Sequence, residues 1–138
     1  MDGEMENIIC LDASTLIDHY RKKVKEKTFF YQLTKSYQGF VLPVTAHFEI
    51  LVGSNAEQYS FWKNMFDDLL IIPYQPYINE TAINILKELK TKRKTIDYKD
   101  LLIAPTSLHY NYTLATINEK HFQYIEGLHL ITPSSFKS

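Results

Sequence analysis

Five short apolar segments alternate with stretches of helical periodicity, and this alternation restricts the fold of the 138-residue chain more than any other feature. The apolar segments lie at 8–11, 40–42, 70–72, 113–116 and 128–131. Between them, apolar side chains recur at three- and four-residue spacing, as in amphipathic helices. Short strands separated by helices predict an α/β fold, a three-layer α/β/α sandwich with a central, mainly parallel sheet of about five short strands.

The helical segments are predicted at 16–23, 28–37, 45–53, 56–69, 79–92, 98–110 and 119–122. Thr45 is expected to cap the third of these helices, and Asp97 the sixth, with Asp100 at the N3 position of a capping box. Pro105 falls inside the sixth helix, where a proline beyond the first turn causes a kink. The length suits one domain, 1–138.

Composition excludes several classes of protein. The chain is 45% hydrophobic with 4 Gly and 5 Pro, as in ordinary globular proteins. Its single cysteine, Cys10, forms no internal disulfide and has no companion at metal-ligand spacing, which predicts a cytoplasmic protein. Residues 1–6 are acidic and lack a basic n-region, and no apolar run approaches the roughly 18 residues of a membrane span. We therefore expect neither secretion nor membrane insertion.

Acidic and polar residues fall where a parallel sheet places its functional site, beyond the carboxyl ends of the strands. Asp12 follows the first strand, and Thr116 and Asn118 follow the fourth. Asp100 lies in the first turn of the helix before the fourth strand, and Glu49 lies one helix after the second strand. These side chains are therefore expected to face one crevice.

Carboxylates gathered in one crevice repel one another, so they require a compensating cation, and an all-oxygen set suits Mg²⁺ or Mn²⁺. Such a site supports phosphodiester hydrolysis. Each residue also has a purely structural interpretation, which spacing alone leaves open. Asp12 would be a helix N-cap, Asp100 a capping carboxylate, Glu49 an exposed helix residue and Asn118 a turn former.

Four segments together resemble the PIN-domain family. Residues 11–17, LDASTLI, resemble its opening D-x-S/T/N-x-L/I signature, and residues 48–53, FEILVG, its E-L-x-x-G segment. Residues 96–104, IDYKDLLIA, resemble the family's I-x-x-x-D-x-L-I-A-A segment, and residues 114–122, LATINEKHF, its L-x-T-x-N-x-x-x-F ending. The segments occur in the family's order and span nearly the whole chain.

The resemblance implies a PIN-like sandwich and a metal-dependent endoribonuclease that uses Mg²⁺ or Mn²⁺. By the same resemblance Asp12, Glu49 and Asp100 bind the metal. Asn118 takes the fourth catalytic position, with Ser14 and Thr116 in supporting positions.

Two positions depart from the family pattern. His121 stands where many relatives carry aspartate, so the fourth ligand stays open between Asn118, Glu119 and the region of His121. We expect His121 to face solvent or a partner, as a lone histidine in a turn usually does. Pro105 replaces the usual second alanine, which leaves the local geometry near Asp100 open.

Small chains that contain only a PIN domain resemble VapC toxins of type II toxin–antitoxin systems. That resemblance implies an RNA substrate, a homodimer and a cognate antitoxin whose C-terminal segment lies along the acidic groove. The aromatic-rich segments 29–37 and 59–66 are candidates for the dimer or antitoxin surface, with core packing as the alternative.

Two basic runs, 21–25 and 90–94, are candidate contacts to the RNA backbone, and within the second run Lys92, Arg93 and Lys94 are the proposed contacts. The alternative is that these runs are solvated helix ends that suit the helix dipole.

Two other functions remain as alternatives. A phosphatase of the haloacid-dehalogenase type also begins with a strand ending in aspartate, but it needs D-x-D, and Ser14 occupies the third position. A catalytically silent PIN-like module would bind RNA or protein without cutting. The three acidic positions argue against it, because concentrated negative charge beside a phosphate backbone weakens binding. The RNA target is not encoded by these motifs.

Overall fold

A parallel five-stranded sheet forms the centre of the computed structural model, which describes residues 8–136. Its strands are β1 (Ile8–Leu11), β2 (Gly39–Pro43), β3 (Leu70–Ile72), β4 (Thr113–Ala115) and β5 (His129–Ile131). They pair in the order β3-β2-β1-β4-β5, and Cys10 of β1 aligns with Val41 of β2 and Leu114 of β4. The five strands and the parallel sheet predicted from the sequence are thus confirmed.

Helices connect the strands. They are α1 (Ala13–Arg21), α2 (Phe29–Ser36), α3 (Val44–Val52), α4 (Tyr59–Asp67), α5 (Ile78–Thr91), α6 (Tyr98–Leu101), α7 (Ala104–His109) and α8 (Glu119–Phe122). α1 packs against α2 and α3, and α5 packs against α7. Because the chain moves from β1 to β3 in one direction and on to β4 and β5 in the other, right-handed crossovers place these two groups on opposite faces. This arrangement confirms the three-layer sandwich.

The central strand is buried on both faces. Ile9, Cys10 and Leu11 are fully inaccessible to solvent, which explains why β1 is continuously apolar instead of alternating. Burial raises the pKa of the Cys10 thiol to about 12, so this thiol is protonated at neutral pH. No helix within residues 8–136 is long and apolar enough to cross a bilayer. The acidic segment 1–6 lies outside the described residues.

The predicted helix 98–110 is wrong in one respect, because it is interrupted between α6 and α7. Pro105 is the second residue of α7 and has no N–H to donate to the preceding turn. Ile103 instead donates its N–H to the Asp100 carbonyl at 3.1 Å. The break makes α6, which carries Asp100, a single turn.

The predicted capping role of Thr45 is also wrong. α3 begins one residue earlier, at Val44, with Pro43 at the N-cap position. The Thr45 hydroxyl donates to the Leu102 carbonyl at 3.1 Å, at the end of α6. This bond joins the helix that carries Glu49 to the turn that carries Asp100.

Candidate active site

Asp12 is the first residue after β1, and hydroxyl groups from two elements fix its carboxylate. Ser14 Oγ donates to Asp12 Oδ2 at 2.9 Å, and Thr116 Oγ1 donates to the same oxygen at 2.7 Å. Asp12 occupies the N-cap position of α1, yet its side chain makes no cap hydrogen bond within the described chain. Helix capping therefore does not explain this carboxylate, which is 4% exposed. Both hydroxyls use Oδ2, which leaves Oδ1 for a further ligand.

The loop after β4 is tied to the same carboxylate. Asn118 donates its backbone N–H to Thr116 Oγ1 at 3.0 Å, and Ile117 donates its own to Ser14 Oγ at 3.3 Å. β1 and β4 are neighbours at the point where the strand order reverses, which is where open parallel sheets bind their ligands. The predicted association of Asp12 with Ser14, Thr116 and the Asn118 loop is therefore found. The loop opens onto a concavity of about 440 Å³ lined by Asn118 and its neighbours.

Asp100 contacts His121, which was expected to face solvent or a partner. His121 Nδ1 lies 3.1 Å from Asp100 Oδ2, although 40% of the His121 side chain is exposed. His121 is thus exposed, as expected, but its ring, carried by α8, also contacts the Asp100 carboxylate on α6. Asp97 is the N-cap residue of α6 as predicted, but no side-chain cap bond forms there among the described residues. Asp100 is therefore not a capping carboxylate.

Glu49 lies on α3, with its carboxylate near a lysine of α6. Lys99 Nζ is 3.8 Å from Glu49 Oε2. Glu49 and Lys99 line an open groove of about 540 Å³ whose remaining wall is largely apolar. Phe48 and Val52, both 67% exposed, lie on that wall. An apolar surface therefore adjoins the acidic residues.

The three carboxylates share one electrostatic environment. Burial raises the pKa of Asp100 to about 6; His121 opposes this shift, and the Asp12 charge adds to it. Burial also raises the pKa of Glu49, with Lys99 opposing and Asp12 adding. Because Asp12 disfavours ionisation of both other groups, a cation among them would relieve the repulsion.

The three carboxylates have the chemistry to bind a divalent metal ion. In this structure, however, they do not lie close enough together to coordinate one. Three carboxylates offer only oxygen ligands, as Mg²⁺ and Mn²⁺ prefer. Within residues 8–136, however, no group of three or more His, Cys, Asp or Glu side chains is placed so that it could hold one ion. Asp100 instead contacts His121, and Glu49 lies near Lys99.

Two of the three residues proposed to contact RNA, Lys92 and Lys94, instead contact other residues of the protein. Lys92 Nζ donates to the Tyr124 carbonyl at 3.1 Å, and Lys94 Nζ lies 4.2 Å from the centre of the Tyr124 ring. Arg93, between them, adopts a left-handed backbone conformation with φ 58°. These contacts support the helix-end interpretation for Lys92 and Lys94, both of which anchor the segment that follows α8.

The first basic run has a similar structural role. Lys25 Nζ donates to the carbonyls of His19, Tyr20 and Lys22 at 2.5–2.8 Å and so satisfies the C-terminal end of α1. Of the aromatic segments, Phe29, Phe30 and Trp62 are buried in the core, whereas Tyr59 is exposed. Core packing therefore accounts for most of these aromatic side chains, and α3 carries the exposed apolar groove.

Lys99 was not predicted at the site, and His121 was named only for the region of the open fourth ligand, not as a partner of Asp100. The available signal was positional: Lys99 adjoins Asp100, and His121 lies three residues after Asn118. Neither spacing reveals that α8 and α6 direct these side chains onto carboxylates.

Two similar known proteins are both ribonucleases named VapC1. Ribonuclease VapC1 of Methanocaldococcus jannaschii is 31% identical over 122 residues, which cover 86% of this chain and 81% of the relative. Ribonuclease VapC1 of Rickettsia felis is 29% identical over 135 residues, covering 92% and 97% of the two chains. No protein-family model matches the chain.

Solved structures share the fold. A chain of VapBC2 from Rickettsia felis, bound to a DNA fragment from its promoter, superposes with a TM-score of 0.76 at 23% identity and covers 91% of this chain and 98% of its own. A chain of DNA-bound VapBC from Salmonella typhimurium gives 0.78 at 19% identity, with 90% and 96% covered. At these identities the similarity concerns the fold.

Proposed function

The chain belongs to the VapC family of ribonucleases, and from this premise we propose that it is a metal-dependent endoribonuclease and the toxin of a type II toxin–antitoxin pair. The observation that carries the proposal is the Asp12 carboxylate, which Ser14 and Thr116 hold at the switch point of the sheet. A buried carboxylate held on one oxygen is oriented to use the other as a ligand. The proposed unit is the whole chain, 1–138, acting as one domain.

We assign the metal to Asp12, Asp100 and Glu49, with Asn118 at the fourth position of the site. These residues would hold Mg²⁺ or Mn²⁺, which when bound would supply Lewis-acid activation of the phosphoryl group and of the attacking water. The electrostatics support this set, because burial raises the pKa of both Glu49 and Asp100 and the Asp12 charge adds to both shifts. Without added positive charge, the same carboxylates would repel an RNA phosphate.

The remaining residues orient the carboxylates. Ser14 and Thr116 hold Asp12 and also receive the N–H groups of the following loop, so a change in that loop is transmitted to the carboxylate. His121 orients Asp100 from α8, and Lys99 offsets the charge of Glu49 from α6. We regard these four as positioning residues, because each acts through another side chain.

Partners are part of the proposal. The structural neighbours are described as VapBC complexes, and a cognate antitoxin and a homodimer are proposed here by analogy. The exposed Phe48 and Val52 support a protein partner at α3, because apolar side chains of this size are usually covered when they adjoin one another. An antitoxin bound there would lie beside Glu49.

The decisive experiment is cleavage of total cellular RNA by purified, antitoxin-free protein with Mg²⁺ or Mn²⁺. Reactions with EDTA and with Asp12→Asn and Asp100→Asn variants are run alongside, after circular dichroism has shown that both variants fold. We expect cutting that requires the metal and disappears in both variants.

Equal cutting by parent and variants would contradict the assignment of the metal site. Binding of RNA without cutting under any metal condition would favour the catalytically silent module. Glu80→Gln provides a matched control, since Glu80 is an exposed carboxylate on α5.

A further inference from the structure

A pocket of about 310 Å³ lies along α1, next to the loop that carries Asn118. Its lining includes Asp18, Lys22, Lys27, Phe29, Gln32 and Phe136. We call it the α1 pocket. Its volume is near the lower end of ligand pockets, roughly 300–1,000 Å³, so it suits one small group and not a helix or strand of a partner.

The α1 pocket adjoins the loop of the candidate active site. Ile117 lines the pocket, and its N–H donates to Ser14 Oγ, the hydroxyl that holds Asp12. Ser14 and Asp18 lie four residues apart on the same side of α1, an axial rise of about 6 Å. Successive phosphates of an extended RNA strand have a comparable separation. Because Ile117 links the pocket lining to Ser14, a strand with one phosphate at Asp12 can extend a neighbouring nucleotide toward this pocket.

The lining has the chemistry of a nucleotide site. Lys22 is paired with Asp18 at 2.8 Å, and Lys27 brings a second cation, so cations outnumber carboxylates in the pocket. Phe136 packs against Phe29 and Tyr37, with ring centres 6.2 and 6.3 Å apart. It is half-buried and lines the pocket, so the exposed part of its ring offers a surface on which a base can stack.

A polar side chain adds the means to recognise a base. Gln32 Nε2 donates to the Glu26 carbonyl at 2.8 Å, which orients the amide and leaves its oxygen as an acceptor for a base N–H group. Cation, aromatic face and amide acceptor together match a phosphate joined to a base, whereas an apolar peptide side chain would use only the aromatic ring.

We propose that the α1 pocket binds one nucleotide of the RNA substrate, next to the bond that is cut, with its base on Phe136 and its phosphate at Lys27 and Lys22. This inference rests on the proposed function, since it names how the same site holds its substrate. It also gives the enzyme a means to prefer one base beside the cut.

The direct test is binding of a fluorescein-labelled six-nucleotide RNA to the full chain in EDTA, where no metal-dependent cutting occurs. Phe136→Ala should weaken binding on the order of tenfold, the contribution of one stacked base. Lys27→Ala should reduce the slope of log affinity against log salt by about 0.7, as for one lost phosphate contact on a single strand. Lys87→Ala, an exposed lysine on α5, should change neither value.

A second arm uses nucleoside monophosphates and NMR. Shifts confined to the signals of Phe136, Gln32 and Lys27 are expected, and shifts confined to residues 118–123 would overturn the proposal. Unchanged RNA binding in both variants would also overturn it. If the variants lose binding of the antitoxin but not of RNA, the α1 pocket is a protein-docking site and the proposal is wrong.

Mapping of cut positions separates this inference from the proposed function. Metal-dependent cutting by the parent, with identical cut positions and KM in Lys27→Ala and Phe136→Ala, would leave the nuclease intact and remove the nucleotide pocket. If the parent cuts no RNA, the proposed function is contradicted. The RNA-binding and NMR measurements would still test whether the α1 pocket binds a nucleotide. The expected result is a higher KM and altered base preference with kcat nearly unchanged.

Discussion

Thr116 Oγ1 donates a 2.7 Å hydrogen bond to Asp12 Oδ2, joining residues 104 positions apart at the ends of β4 and β1. The neighbouring backbone continues the sheet ladder, because the Asp12 N–H donates to the Ala115 carbonyl at 3.1 Å. The carboxylate is therefore attached at the edge of the sheet, through the first residue after β4. Substitutions at Thr116 consequently test whether the orientation of Asp12 matters for cleavage.

Thr116→Val should lower the rate of RNA cleavage about 10- to 100-fold, the range found when a partner that orients a metal ligand is lost. The free energy of unfolding should fall by roughly 1 kcal/mol for the lost hydrogen bond. Thr116→Ser keeps the hydroxyl and should retain most of the activity. Parent-like cleavage by a folded Thr116→Val protein would show that this bond does not orient a reacting group.

Metal binding should be visible without any RNA. An ion that binds only the folded state raises stability, by about 2.7 kcal/mol at a hundredfold excess over Kd. Addition of Mg²⁺ or Mn²⁺ should therefore raise the Tm of the parent, and the rise should shrink in Asp12→Asn, Glu49→Gln and Asp100→Asn. Glu80→Gln is the control. Equal rises in all five proteins would place the ion elsewhere.

Asp100→Asn should stabilise the metal-free protein at neutral pH. Burial raises the pKa of Asp100 from 3.8 to about 6. Between these values the folded state holds a proton that the unfolded chain releases, so stability falls as pH rises through this window and stays lower above it. Asp100→Asn has no group that titrates here, so it does not lose stability as the pH rises through this window.

Thermal melts in EDTA at pH 4 and pH 7.5 check this expectation. The Tm difference between Asp100→Asn and parent should be larger at pH 7.5, by a few degrees as roughly 1 kcal/mol gives at this chain length. The variant also removes the carboxylate charge that His121 faces, so His121→Gln serves as the matched control. A larger advantage at pH 4 would have the wrong sign and refute the argument.

Neutralising Lys92, Arg93 and Lys94 together should weaken RNA binding and flatten its salt dependence, by about 0.7 in slope per lost phosphate contact. The contacts to Tyr124 complicate the triple variant, since Lys92 and Lys94 also anchor the chain after α8. Arg93→Gln alone separates the two effects, and Lys87→Gln controls for net charge. Binding that stays unchanged across a salt series would reject this contact surface.

Local sequence patterns determined the elements of this protein and the edge of the sheet where function lies. Apolar runs and helical periodicity are properties of neighbouring residues, so the five strands and the position of Asp12 beyond β1 followed from them. A parallel sheet places the carboxyl ends of its strands at one edge, as expected, but the strand order that makes β1 and β4 neighbours and brings Thr116 to Asp12 belongs to the tertiary structure.

Only the tertiary structure decided which partner each functional side chain meets. Pro105 separates α6 from α7, and α8 then packs so that His121 faces Asp100, a contact that no local pattern encodes. The pairing of Lys99 with Glu49 likewise depends on how α6 lies against α3. The physical reason is that side-chain direction follows from helix packing across the two faces of the sheet, whereas periodicity specifies only which face of each helix is apolar.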